Sequence, residues 1–78
     1  MNLQKSKSQE IKYRADNGDI YSMIEYANIL YNGNGTPVNK MLASRYHIKS
    51  ADKGDANGMY NYALMLSNGD GIPVNKAE

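Results

Sequence analysis

The sequence contains no cysteine, no tryptophan and no phenylalanine, and it has one histidine among its 78 residues. Without cysteine, neither disulfide bonds nor thiolate metal sites can support the fold. The histidine, His47, has no second histidine or cysteine with which to form a metal site. We therefore predict a ring at the edge of the core with its hydrogen bonds satisfied, and we expect no metal and no cofactor.

An excess of charge of one sign and a long apolar run are also missing. Nine basic and eight acidic residues give a net charge of +1, with both signs interspersed. This balance argues against the basic surface that nucleic-acid binding requires. No apolar run approaches the roughly 20 residues needed to cross a bilayer, and the polar start "MNLQKSKSQE" does not have the apolar segment of a secretory signal. We expect no nucleic-acid or membrane partner and a cytoplasmic location.

The chain does contain an internal repeat. When it is aligned with itself at an offset of 36 residues, 15 of the 31 pairs between 12–42 and 48–78 are identical, whereas chance gives about two or three. The shared apolar residues have the i, i+3, i+4, i+7 spacing of one helix face, which predicts burial. This shared stripe consists of Met23, Tyr26, Ala27 and Leu30 in the first copy and of Met59, Tyr62, Ala63 and Leu66 in the second. Two further alanines, Ala43 and Ala51, are also predicted to be buried.

Capping signals divide the chain into four predicted helices. A side chain that can accept hydrogen bonds from free backbone N–H groups precedes each helical pattern, and Ser6-x-x-Gln9 is typical of a capping box. The other predicted N-caps are Asp19, Asn39 and Asp55. The predicted helices cover residues 7–17, 20–32, 40–53 and 56–68, followed by a loop and a three-residue stub.

The loop Asn32–Lys40, "NGNGTPVNK", raises the question of a phosphate-binding site, because it is rich in glycine and ends in lysine. Such a site follows a strand, whereas this loop follows a helical pattern and is repeated at Asn68–Lys76. We interpret it as a connection between helices that ends one helix at an Asn-Gly pair. The acidic residues occupy caps or helix ends, so we predict no catalytic residues and no enzyme.

The period and the loop resemble the Sel-one-like repeat (SLR) family, a relative of the tetratricopeptide repeats. The resemblance lies in "DANGMYNYALMLSNGDGIPVNKAE" and "ASRYHIKSADKGDA", which contain the alanine, leucine, Gly-x-Gly loop and closing glycine of the family's unit. Membership implies an all-α fold, an α/α solenoid of antiparallel helix hairpins in a right-handed superhelix with about two 36-residue repeats. It also implies a non-enzymatic scaffold or adaptor that binds a protein or peptide partner.

On this basis we divide the chain into a second-helix half-repeat at 6–18, a complete repeat at 19–54 and a partial repeat at 55–78. The partial repeat has no room for its second helix, so we expect large side chains of the last helix to lie uncovered. Two interpretations follow. The chain self-associates through its open C-terminal end, or it is a structural fragment of a longer array with no partner of its own.

Positions that differ between the two copies are candidates for partner contacts, because identical positions build the scaffold. The first helix of each repeat lines the concave surface in related solenoids. We therefore predict a partner-binding surface on these helices, at Ile24, Asn28, Tyr31, Tyr60 and Leu64. The alternative is that some of these residues pack against neighbouring repeats.

Overall fold

The computed structural model describes residues 6–69 and folds them into four α-helices. They are α1 (Lys7–Asp16), α2 (Ile20–Asn32), α3 (Lys40–Asp52) and α4 (Ala56–Asn68). Each helix packs against the next one along the chain, and the short connections at 17–19 and 53–55 make these neighbours antiparallel. No strand occurs between residues 6 and 69. The predicted all-α repeat array is confirmed, although α1 and α3 end one residue before their predicted ends. The predicted stub lies outside the described residues.

Each helix begins at its predicted N-cap. Asp19, Asn39 and Asp55 each accept a hydrogen bond from the backbone N–H three residues ahead, at distances of 3.1, 3.0 and 2.9 Å. Ser6 and Gln9 form the predicted capping box, in which each side chain accepts from the other residue's backbone N–H. These bonds satisfy donors that have no partner inside the helix, and so they define where each helix starts.

The loop after α2 is a helix connection that folds back on the helix it leaves. Gly33 caps α2 in the left-handed conformation, with φ of +76°, and its N–H bonds to the carbonyl of Ile29. A Cβ at Gly33 would lie only 2.7 Å from Cγ2 of Val38, so any side chain there meets both strain and a clash. The Asn39 N–H then donates to the Leu30 carbonyl at 2.8 Å, which ties the start of α3 to the end of α2.

The core is centred on α2, which lies between α1 and α3. The rings of Tyr26 and Tyr46 pack edge to face, with centroids 5.0 Å apart. The Tyr46 hydroxyl donates to Asp16 Oδ1 at 2.6 Å, and Lys12 Nζ lies 2.8 Å from the other oxygen of that carboxylate. The bonds from Lys12 and then from Tyr46 lower the pKa of Asp16. The buried apolar residues are Ile11, Ala15, Met23, Tyr26, Ala27, Leu30, Ala43, Tyr46 and Met65.

The shared stripe is buried on α2 but mostly exposed on α4. Met59 is 52% exposed and Leu66 is 37% exposed. Tyr62 is half-buried, and Ala63 is exposed. The prediction that Ala63 is buried is therefore wrong, and Ala51 is only half-buried. The reason is that, between residues 6 and 69, α3 is the helix that packs against α4, and it does so on a neighbouring face.

That neighbouring face of α4 approaches α3 closely at Gly58. A Cβ on Gly58 would lie 1.9 Å from Ser50 Oγ, 2.8 Å from the backbone nitrogen of Ala51 and 2.9 Å from the carbonyl oxygen of His47. The last two atoms belong to the α3 backbone and cannot rotate away. Only glycine lets α4 approach α3 this closely. This approach brings Met65, seven residues further along α4, into the core.

Candidate partner-binding groove

A groove of about 180 Å³ lies between α2 and α4 and reaches α3. Three of the five predicted contact residues, Asn28, Tyr31 and Leu64, line it together. They come from both first helices, at positions that differ between the two repeats. The other lining residues are His47, Asn61, Met65 and Asn68.

The remaining two predicted contact residues lie outside this groove. Ile24 is half-buried on α2, and Tyr60 on α4 is 65% exposed. Neither is among the residues that line the groove.

Sequence reasoning missed the α4 side of the groove apart from Leu64, although the spacing contained a signal for it. Asn61, Leu64, Met65 and Asn68 have the same i, i+3, i+4, i+7 spacing as the shared stripe, starting two residues later along the helix. Of these four residues, only Asn68 is identical to its counterpart in α2, so identity between the two copies does not reveal this second stripe. His47 was missed for a different reason, because it was interpreted only as a residue at the edge of the core.

His47 is 3% exposed, and its Nδ1 atom is buried without a hydrogen-bond partner among the described residues. The expectation that its ring is satisfied is therefore wrong for this atom. Burial lowers the pKa of His47, because removal from water disfavours the charged imidazolium. The ring is therefore neutral near pH 7, with one nitrogen that donates and one that accepts.

The side chains that line the groove carry no formal charge, given a neutral His47. A cation lies beside it, since Lys40 Nζ is 4.8 Å from the centroid of the Tyr31 ring. The groove thus combines amide, hydroxyl and imidazole groups with the apolar side chains of Leu64 and Met65. Such a surface can hydrogen-bond an uncharged polar group and cover an apolar one at the same time.

Residues 6–69 contain neither a cluster of metal-ligating side chains nor a membrane-spanning helix. No group of three or more His, Cys, Asp or Glu residues there could hold a metal ion. None of the helices in this part of the chain is both long and apolar enough to cross a membrane.

The fold and the groove together define a helical repeat protein, in which hairpins of similar sequence stack and their first helices share a surface. Comparison with known families gives the same class in more detail. Residues 20–55 and 56–78 each match the Sel1 repeat, so the chain belongs to the Sel1 repeat family. Neither the comparison with curated proteins nor that with solved structures returned a match.

Proposed function

We propose that this chain is a non-enzymatic scaffold that binds a protein or peptide partner on the surface of α2 and α4. Sel1 repeats are helical repeat units of a scaffold type that mediates protein–protein interactions. The candidate contact residues are Ile24, Asn28, Tyr31, Tyr60 and Leu64. Partners that are nucleic acids or membranes are not part of the proposal.

The observation that carries this proposal is the shared groove. Leu64 on α4 is far in sequence from Asn28 and Tyr31 on α2, yet all three line the same concavity. Each stands at a position where the other repeat has a different residue: Leu64 aligns with Asn28, and Ser67 aligns with Tyr31. Variation at positions that meet in space is what a recognition surface requires, since identical positions maintain the fold.

The composition of α4 gives independent support. Its 13 residues include no charged side chain, although Tyr60 is 65% exposed and Leu64 is 42% exposed. Aromatic residues are enriched and most charged residues depleted in the centres of protein interfaces, in contrast to ordinary surfaces. A helix with exposed tyrosine and leucine and no charge is therefore better suited to a partner than to water.

The test is a binding comparison between matched variants. The intact chain is immobilised, and partners captured from a cell extract are quantified for the parent and for Asn28→Ala combined with Leu64→Ala. Tyr21→Ala serves as the control, because Tyr21 is 85% exposed and does not line the groove. We expect the double variant to lose at least about 90% of the specific capture. Equal capture by all three proteins would refute the proposed surface.

The non-enzymatic part of the proposal has its own test. The thermal midpoint is measured with ATP, GTP and NAD at millimolar concentration. We expect no change, because the loop at Asn32–Lys40 follows a helix and leads into α3 as a connection. A reproducible rise in the midpoint would show binding to the folded state and would contradict this part of the proposal.

We also propose that the exposed stripe of α4, at the C-terminal end of the described helices, supports self-association. Contact between two α4 helices would bring no like charges together, because α4 has none. In sedimentation velocity we expect a concentration-dependent dimer that Met59→Glu combined with Leu66→Glu abolishes. A monomer at all concentrations up to about 1 mM would contradict self-association, while leaving the proposed groove untouched.

A further inference from the structure

The chain is rich in asparagine followed by glycine. Five of its seven glycines come directly after an asparagine, and the asparagines of these pairs are Asn17, Asn32, Asn34, Asn57 and Asn68. Asparagine is one of the chemically labile residues of proteins, and a following glycine has no side chain to shield the peptide nitrogen between the two residues. All five pairs are therefore candidates for loss of the asparagine amide.

This reaction, deamidation, needs only water as a co-reactant. The peptide nitrogen of the glycine bonds to Cγ of the asparagine, the Cγ–Nδ2 bond breaks, and ammonia leaves with the proton of that N–H group. The cyclic imide that forms then adds water, which breaks one of its two ring C–N bonds and gives aspartate or isoaspartate. Because the glycine nitrogen is the attacking atom, a hydrogen bond that holds its N–H in the folded backbone slows the first step.

The fold holds four of the five glycine nitrogens in such hydrogen bonds. The N–H groups of Gly18, Gly33 and Gly69 donate to backbone carbonyls at 3.1, 2.8 and 3.2 Å. The N–H of Gly58 donates to the carboxylate of Asp55 at 2.9 Å. Each of these bonds lies at the end of a helix, so the nitrogen becomes available to the asparagine side chain only when that end opens.

Gly35 differs from the other four glycines. Its N–H donates to no group in the described part of the chain, and both Asn34 and Gly35 are exposed in the loop between α2 and α3. Among the described residues beyond its chain neighbours, a Cβ at Gly35 would meet only Ser8 Oγ, at 3.8 Å. The loop therefore leaves both reacting groups of this pair accessible and uncrowded.

The internal repeat indicates that the loop tolerates the product. The loop "NGNGTPVNK" of the first copy has the counterpart "NGDGIPVNK" in the second, so Asn34 aligns with Asp70. Conversion of Asn34 to aspartate therefore introduces the residue that the second copy already has at this position.

We infer that Asn34 is a spontaneous deamidation site, and that the fold determines which of five chemically similar pairs reacts first. The reaction places a carboxylate in a shallow depression that Lys7 and Glu25 also line. It lowers the net charge of the chain from +1 to 0. Asn34 does not line the groove between α2 and α4, so this site is separate from the proposed partner-binding surface.

The experiment follows all five pairs in the intact chain at once. The protein is incubated at pH 7.5 in water enriched in oxygen-18 and then digested in ordinary water, so that only residues converted during the incubation carry the label. Mass spectrometry of the peptides gives a conversion rate for each asparagine. A parallel incubation in guanidinium chloride removes the fold and measures the rates that the local sequence alone allows. Asn34→Gln, which keeps the amide but lengthens the side chain, is the control for assigning the label.

In the folded chain we expect Asn34 to convert at least about tenfold faster than each of the other four asparagines, because their glycine N–H groups are released only by opening of a helix end. In guanidinium chloride we expect the five rates to become similar. Asn34→Gln should remove the fast-labelled site and leave the other four rates unchanged. Conversion of Asn34 no faster than the others in the folded chain, or by the same factor faster in guanidinium chloride, would overturn the inference.

Discussion

Helices α2 and α4 have the same four apolar residues at the same spacing, yet these residues differ in burial between the two helices. On α2, Met23, Tyr26, Ala27 and Leu30 are all buried, with α1 on one side and α3 on the other. On α4, the residues that align with them are exposed or half-buried in the part of the chain that the structure describes. Whether an apolar stripe is buried therefore depends on whether another helix packs on that face. The stripe makes burial favourable but does not by itself provide the helix that covers it.

The two ends of the described array differ in a second way. The positions of α1 that align with the buried residues Ala43, Tyr46 and Ser50 of α3 are Lys7, Glu10 and Arg14, and all three are exposed. Glu10 and Arg14 form an ion pair at 2.9 Å on this face. A polar outer face of this kind suits water, as the outer face of a capping unit does. Helix α4 has no charged residue among its 13, so the two ends of the described array differ in polarity.

The largest loss of stability that tests this contrast is expected when the aligned leucine of each helix is truncated. Leu30→Ala removes a side chain that is 2% exposed, and it should lower the free energy of unfolding by about 2–5 kcal/mol. Leu66→Ala removes its counterpart, which is 37% exposed, and should cost about 1 kcal/mol or less. Urea unfolding followed by circular dichroism measures both. Equal losses would mean that α4 is covered in solution.

A second substitution tests how α4 is held. Gly58→Ala should lower the free energy of unfolding by about 1–3 kcal/mol, because the new Cβ overlaps the α3 backbone. An ordinary exposed glycine in a helix would instead gain about 1 kcal/mol from the same change. The control is Asn57→Ala at the adjacent exposed position. A neutral or stabilising Gly58→Ala would show that α4 packs less closely against α3 than these distances require.

The Asp16–Tyr46 bond provides a third test, with a matched residue in the second copy. Asp16→Ala leaves the buried Tyr46 hydroxyl without its acceptor and should cost about 1–2 kcal/mol. Asp52→Ala changes the aligned aspartate, which is exposed, and should cost less than about 0.5 kcal/mol. Thermal unfolding at pH 7 distinguishes them. Equal effects would exclude a special role for Asp16.

The smallest expected effect is a dependence of stability on pH. Burial lowers the pKa of His47, so the unfolded chain binds more protons than the folded chain as the pH falls below about 6.5. Stability should be fully present above that pH and decline as the solution is acidified. Asp16 contributes in the same direction at lower pH, since its pKa is lowered from 3.8. Urea unfolding at pH 7.5 and 5.5 should show the first decline, and His47→Ile should remove it.

Much of the fold could be predicted from local chemistry. The N-caps at Asp19, Asn39 and Asp55 lie where their short polar side chains can bond to backbone N–H groups, a preference that depends only on neighbouring residues. The internal repeat then predicted that successive helices pair as hairpins. Burial on α4 could not be read from its stripe, because it depends on which helix lies next to that face.

The groove was only partly predictable for the same reason. Asn28, Tyr31 and Leu64 could be selected because they vary between repeats, whereas the place of His47 in the groove depends on the packing of α3 against both α2 and α4. The close approach at Gly58 was also hidden, because α2 has Ser22 at the aligned position. A glycine in one repeat and a serine in the other gives no local sign that a backbone lies 2.8 Å from the missing Cβ.

The most direct test of the contrast between α2 and α4 is residue-resolved amide hydrogen exchange on the intact chain, measured by NMR at low concentration. The amides of Ala27 and Leu30 should exchange only through global unfolding, whereas those of Ala63 and Leu66 should exchange about 10–100 times faster through local opening of α4. Equal protection of the two aligned pairs would contradict this contrast, because it would mean that the α4 stripe is as well covered as that of α2.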